Sequence, residues 1–193
     1  NVGIGATSPG TILDVSRSTN GAETMRITNA KARLGGLGSG GFALRDVSGE
    51  ISDLASDDPH LTIKGQGEGP LDDALKYLAT SPVGAWTGNM LGYAQGQGRA
   101  GLQLSLDIPL DRADDTKLKG RVILKDADQA GIRLAPALPI FTHVVGEIGF
   151  TESILTVKAK TQLWGQDVQV EGKRDATGAP LFEAHGIMTA EGL

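Results

Sequence analysis

The most regular stretch of the chain begins at Leu102. There Leu-Gln-Leu-Ser-Leu-Asp-Ile-Pro-Leu sets an apolar residue at every even position through Leu110, with Gln103, Ser105 and Asp107 between. A period of two is the pattern of a β-strand with one apolar face, because successive side chains leave the backbone on opposite sides. The same design returns three times. Leu118, Val122 and Leu124 alternate with Lys117, Lys119, Arg121 and Lys125, and Gly120 stands in the apolar row. Leu155, Val157 and Ala159 alternate with Thr156, Lys158 and Lys160, and Val168 and Val170 with Asp167, Gln169 and Glu171. Asp-, Gly- and Pro-bearing turn segments lie between them, at 111–115, 126–131 and 173–178. Together these features predict an antiparallel meander. Met25 to Ile27, Phe42 to Val47 and Leu61 to Lys64 are shorter strand candidates with weaker alternation.

One segment has a different period. Leu71, Leu75 and Leu78 recur at helical spacing, Pro70 suits a first helical position, and Asp72 and Asp73 favour a helix N-terminus. The spacing predicts a short amphipathic helix near 70–79, ended at Thr80-Ser81-Pro82 because the residue before a proline is pushed out of the helical region. Such a helix covers a sheet edge or closes one end of a core; a lipid-touching or gating role is the alternative. Gly35-Gly-Leu-Gly-Ser-Gly-Gly41 reads as a flexible join, either a domain boundary or a hairpin loop.

Composition narrows the classes further. The 193 residues include 28 glycines and only 4% aromatics, as expected for aliphatic strands joined by many tight turns. Cysteine is absent, which excludes disulfide frameworks, Cys-based zinc sites and thiol nucleophiles. The net charge of −5 is mild, and the scattered Lys and Arg do not make a nucleic-acid footprint. No stretch approaches the ~18 apolar residues of a membrane span. The most apolar region, Ile132 to Phe150, is interrupted by Pro136, Pro139 and His143. The chain opens on Asn1 within a β pattern, so it is expected to be a piece of a longer protein.

Catalytic constellations are not legible. Gly65-Gln-Gly-Glu-Gly69 lacks the spacing of a dinucleotide loop, and Gly96-Gln-Gly98 reads as the turn into the Leu102 strand. His60, His143 and His185 are far apart, without a metal-ligand pair. Asp57-Asp58, Asp72-Asp73 and Asp114-Asp115 are neighbours in sequence, whereas acid/base work needs two groups converging on a pocket. Ser81 precedes a proline rather than sitting in a nucleophile elbow, and Trp86 and Trp164 are expected as anchors packed on a sheet. No enzyme activity, cofactor or metal is expected.

The order of the segments carries a resemblance. Ala43-Leu-Arg-Asp-Val-Ser-Gly-Glu-Ile-Ser-Asp-Leu54, Leu61-Thr-Ile-Lys-Gly-Gln-Gly-Glu-Gly-Pro-Leu71 and the helix through Tyr77-Leu78 into Ser81-Pro82-Val83 come first. Gly98-Arg-Ala-Gly-Leu-Gln-Leu-Ser-Leu-Asp-Ile-Pro-Leu110, Leu118-Lys-Gly-Arg-Val-Ile-Leu124, Gly146-Glu-Ile-Gly-Phe150 and Ala184-His-Gly-Ile-Met-Thr-Ala-Glu-Gly-Leu193 follow. From about Met25 to Leu193 the chain resembles the C-terminal portion of AsmA-like bacterial envelope proteins, most closely the YhdP branch related to TamB. The resemblance implies a mainly β fold: a long antiparallel twisted sheet forming an open, β-solenoid-like groove. It also implies a protein anchored in the inner membrane by a helix absent from this chain, extending through the periplasm and conducting phospholipid toward the outer membrane. The opening Asn1-Val-Gly-Ile-Gly-Ala-Thr-Ser-Pro-Gly-Thr-Ile-Leu-Asp-Val15 instead resembles a repeat of phage tail fibres. Residues 1–22 are therefore left unassigned, as a segment foreign in character, and 23–193 are read as the AsmA-like β-groove segment.

In that reading the candidate lipid-contacting residues are Leu102, Leu104, Leu106, Ile108, Leu118, Val122, Leu124, Leu155, Val157, Val168 and Val170. Each buried methylene is worth roughly 0.8 kcal/mol, so an acyl chain needs an apolar lining worth on the order of 10 kcal/mol to leave a membrane. Periodicity alone does not separate such a lining from the closed core of a β-sandwich. The alternative function is accordingly a structural or adhesive β-protein, a fibre or surface domain with a closed core. Phospholipid acyl chains are the expected partners, and nucleic acid is not; oligomeric state is not legible, although cut sheet ends offer strand edges to neighbours.

Overall fold

The computed structural model describes residues 12–17, 23–34, 42–80, 90–125, 130–151, 153–175 and 181–187. Among them the chain forms strands β1 (Ile12–Arg17), β2 (Glu23–Leu34), β3 (Phe42–Ile51) and β4 (His60–Pro70), then the helix α1 (Leu71–Thr80). After a single turn of 3₁₀ helix, Met90–Tyr93, come β5 (Gln95–Gln97), β6 (Arg99–Pro109), β7 (Lys117–Leu124) and β8 (Gly131–Arg133). The series closes with β9 (Thr142–Thr151), β10 (Ile154–Leu163), β11 (Gln166–Asp175) and β12 (Leu181–Gly186).

Ten of these strands make one antiparallel sheet in the order β1-β2-β3-β4-β6-β7-β9-β10-β11-β12. The chain therefore runs as a meander with two excursions. The first, α1 to β5, leaves between β4 and β6; the second, β8, leaves between β7 and β9, and β5 pairs with β8. Strands β1 and β12 lie at opposite ends of the order, so the sheet does not close into a barrel. It is mainly β, with one helix among the described residues, as the alternation predicts.

The register explains both the strong and the weak stretches of the pattern. Rows of side chains cross the sheet on one face, such as Gly67-Leu102-Val122-Ile148-Val157-Gly172-Phe182 and Val15-Met25-Ile51-Leu61-Ile108. Strands β6, β7, β10 and β11 hold one parity throughout, and their alternation is plain in the sequence. Strands β2 and β3 do not. A bulge in each inserts an extra residue, Asn29 in β2 and Asp46 in β3, both at positive φ (56° and 52°). An extra residue shifts the phase by one, so Met25 and Ile27 reach one face from odd positions and Ala30 reaches it from an even one. His143 (φ 53°) lies in the matching irregularity of β9. Asn, Asp and His are among the residues that tolerate this left-handed region best.

Two segments gain a definite place and one expectation is corrected. Gly65 to Gly69, which lacks the spacing of a phosphate loop, lies in the second half of β4, paired along its length with β6 and at Gln66 to Glu68 with β3. Strand β9 escapes the simple pattern because apolar Val145 is exposed on the polar face while Gly146 stands in the apolar row. Trp164 is not packed on a sheet: it forms with Gly165 the two-residue turn between β10 and β11, at φ 50° and 77°, and is 53% exposed. Trp86, Ser81 and the glycine-rich segment 35–41 lie outside the described residues, as do 1–11 and 18–22. Residues 12–17 pair with 23–28 as the outermost hairpin.

The core sits where the excursions meet the sheet. Leu71, Leu75 and Leu78 of α1 pack with Ala94, Ala130 and Ile132 of the connecting segments and with Leu102, Val122, Leu124, Ile148 and Phe150 of the strands. The start of the helix is fixed by Leu71 N–H donating to the Gly98 carbonyl at 3.0 Å, and Gly96 N–H donates to the Asp72 carboxylate at 3.3 Å. Lys76 pairs with Asp72 one turn away, which holds that carboxyl below its usual range.

Candidate functional site

All eleven sequence-predicted residues project from the same face of the sheet, since their register rows interlock across β6, β7, β10 and β11. The sequence reading missed their continuation onto β1 to β4 and β9: Val15, Met25, Ile27, Ile51, Leu61, Ile63, Ile148 and Phe150 join the rows. For β2 and β3 the bulges hid the signal; for β9 the pattern Val144, Gly146, Ile148, Phe150 was present but diluted by Val145.

This face has a sealed part and an open part. Under α1, Leu102 is 1% exposed, Val122 0% and Leu124 2%, and Leu104, Leu118, Leu155 and Val168 are also buried. The first three share one buried core with Leu71, Leu75 and Leu78 and leave no surface for another molecule, so the uniformly open lining is corrected there to a closed core. Leu106, Ile108, Val157 and Val170 are half-buried. Away from the helix, toward β1, Ile51 stays buried at 5%, but its neighbours open: Leu61, Ile63 and Met25 are half-buried, Ile27 is 36% exposed and Val15 45%. A ribbon of apolar side chains thus leads from the helix-capped core to the uncapped edge.

The chemistry of the surrounding groups is spare. His60 Nδ1–H donates a hydrogen bond to the Asp107 carboxylate at 2.8 Å, and the ring lies 3.5 Å from Asp58; the hydrogen bond to Asp107 raises its pKa. Arg26 and Glu50 meet in a two-pronged pair across β2 and β3, both contacts at 3.0 Å, and that hydrogen bond lowers the Glu50 pKa. Burial pushes the Tyr77 hydroxyl up. Among the described residues no group of three or more His, Asp or Glu side chains is arranged to hold a metal ion. The buried Oδ2 of Asp73 has no hydrogen-bond partner, and it lies in the first turn of α1. No helix among the described residues is long and apolar enough to cross a membrane.

An unclosed antiparallel sheet, apolar along one face and capped there by a single helix, defines the class: an extended, mainly β protein. The chain belongs to the YhdP protein family of AsmA-like bacterial envelope proteins, whose family model matches residues 23–193. No curated protein and no solved structure matches it.

Proposed function

We propose that this chain is a segment of a periplasmic, bridge-like protein that conducts phospholipid acyl chains between the inner and outer membranes, anchored in the inner membrane through a part outside this sequence. The observation that carries the reading is the apolar ribbon on an unclosed sheet. Side chains in register, from Val15 through Met25, Ile51 and Leu61 to Ile108, run across five strands at ~4.8 Å per strand, and all but the buried Ile51 are at least partly open. Hydrocarbon wets such a surface without leaving polar groups unsolvated, and the family membership supplies the envelope setting. The helix-sealed core acts as the fixed wall against which the ribbon ends. The polar residues do no chemistry in this reading; they keep the opposite face in water.

A second reading has its own observation. The sealing of Leu102, Val122 and Leu124 is what a structural β-domain with a closed core requires. Photocrosslinking residues placed at Leu106, Ile27 and Val122 of the full-length protein in cells separate the two. Lipid conduction expects phospholipid adducts by mass spectrometry at 106 and 27 and none at 122. Adducts at none of the three, with the protein folded and abundant, overturn it in favour of the structural domain.

A further inference from the structure

The other face of the sheet carries a feature that the lipid reading does not use. Two neighbouring rows cross β3, β4, β6, β7 and β9 on the polar side: Ser48-Lys64-Ser105-Lys119-Thr151 and Arg45-Gln66-Gln103-Arg121-Gly149. Across five strands neither row contains a carboxylate, in a chain whose net charge is −5. Antiparallel sheets ordinarily place opposite charges on facing strands, and here Lys64 and Lys119 instead flank one serine, Ser105, from both sides. Their backbones stand about 10 Å apart, two strand spacings.

The surface is concave at this place. A cleft of about 340 Å³ is lined by Lys64, Gln66, Gln103, Ser105, Lys119 and Arg121, with Asp46 at its margin. The nearby carboxylates are already engaged. Asp46 accepts a hydrogen bond from Gln66 at 2.9 Å, Glu147 lies 3.4 Å from Arg121, Asp107 is held by His60, and Glu50 by Arg26. Among the described residues neither Lys64 nor Lys119 has an ion-pair partner. The cleft thus gathers two ammonium groups, a hydroxyl and two amides able to donate, beside the Glu147-paired guanidinium of Arg121, with Asp46 as the carboxylate in its lining.

We infer that this polar-face cleft is a binding site for a phosphate-type oxyanion, gripped by Lys64 and Lys119 from opposite sides with Ser105 between them. Donors converging from several directions suit a tetrahedral anion with several oxygens better than a single planar carboxylate. The same chemistry is found in a phospholipid headgroup and in a soluble phosphate compound. The site stands independently of the acyl-chain reading, because it lies on the opposite side of the sheet.

The test uses the full chain, with inorganic pyrophosphate in titration calorimetry at low salt, and flotation with phosphatidylcholine vesicles with or without phosphatidylglycerol. Lys64→Gln/Lys119→Gln is compared with Lys158→Gln/Lys160→Gln, which removes the same charge from the same face outside the cleft, where Lys158 stands opposite Glu147 and Glu171. The inference expects the first pair to weaken binding about tenfold or more and the second to leave it nearly unchanged. Loss with vesicles identifies a lipid headgroup as the source, and loss confined to pyrophosphate identifies a soluble one. Ser105→Ala, which leaves the charge intact, should weaken binding in the same direction and covers the case in which the double variant does not fold. Equal weakening by both lysine pairs, or no binding of either probe by the unaltered chain, overturns the site.

Discussion

Phe150 lays its ring over Gly120, its register partner on the neighbouring strand, so closely that a Cβ on that glycine would fall 2.1 Å from the ring. Phe182 does the same to Gly172 three strands beyond, at 2.0 Å. A glycine in mid-strand forgoes side-chain packing, and an aromatic ring from the adjacent strand restores the lost burial. The Phe150 ring is buried in the core beside Leu104 and Leu155, its neighbours in the same row. Phe150→Ala is therefore expected to cost about 3–5 kcal/mol and Gly120→Val about 1–3 kcal/mol, by overpacking against the ring. Urea unfolding monitored by circular dichroism measures both; a neutral Gly120→Val would show that the ring moves aside freely.

The division of the apolar face predicts opposite outcomes for one kind of substitution. Leu102→Asp places a carboxylate in a position with no access to water and is expected to cost more than about 4 kcal/mol, enough to prevent folding. Leu106→Asp sits where the side chain is half-buried and should cost about 1–2 kcal/mol, leaving the chain folded. Soluble expression and thermal melts of the two variants check this.

Trp164 occupies a backbone position that a bulky residue adopts at a cost. The Trp164-Gly165 turn has both residues at positive φ, the geometry in which Asn-Gly is preferred. Trp164→Asn should stabilise the chain by about 1 kcal/mol, read as a higher urea midpoint with an unchanged slope. A loss of stability would mean that the exposed indole makes a contact worth more than the strain.

His60 ties the end of β4 to β6 through Asp107. Its folded-state pKa is raised above the ordinary 6.5, chiefly by that hydrogen bond, so the protonated form is the one the fold favours. The contribution is complete below the ordinary value and fades as pH rises through the elevated one. The melting temperature of the unaltered chain should thus exceed that of His60→Gln by more in mildly acidic buffer than in mildly alkaline buffer. A difference that is flat or grows with pH would contradict the assignment.

The strands β6, β7, β10 and β11 were legible because nothing interrupts their period: each residue from Leu102 to Ile108 alternates faces without a bulge. The helix was legible from Leu71, Leu75 and Leu78 for the same reason. Strands β2 and β3 were read only as fragments, since Asn29 and Asp46 each reset the phase, and a bulge is specified by pairing across strands rather than by local composition. The cationic cleft was invisible for a related reason. Ser48, Lys64, Ser105 and Lys119 are distant in the chain and become neighbours only when the register is known.

By itself the sequence determined that the chain is an antiparallel meander with one apolar face, because alternation is a local property that each strand carries alone. Whether that face is sealed or open was decided only in three dimensions. The cover comes from α1, Ala94, Ala130 and Ile132, which share one buried core with Leu102, Val122 and Leu124, while no described element covers Val15 and Ile27. Burial of a residue depends on what lies above it, and what lies above these strands is encoded tens of residues away.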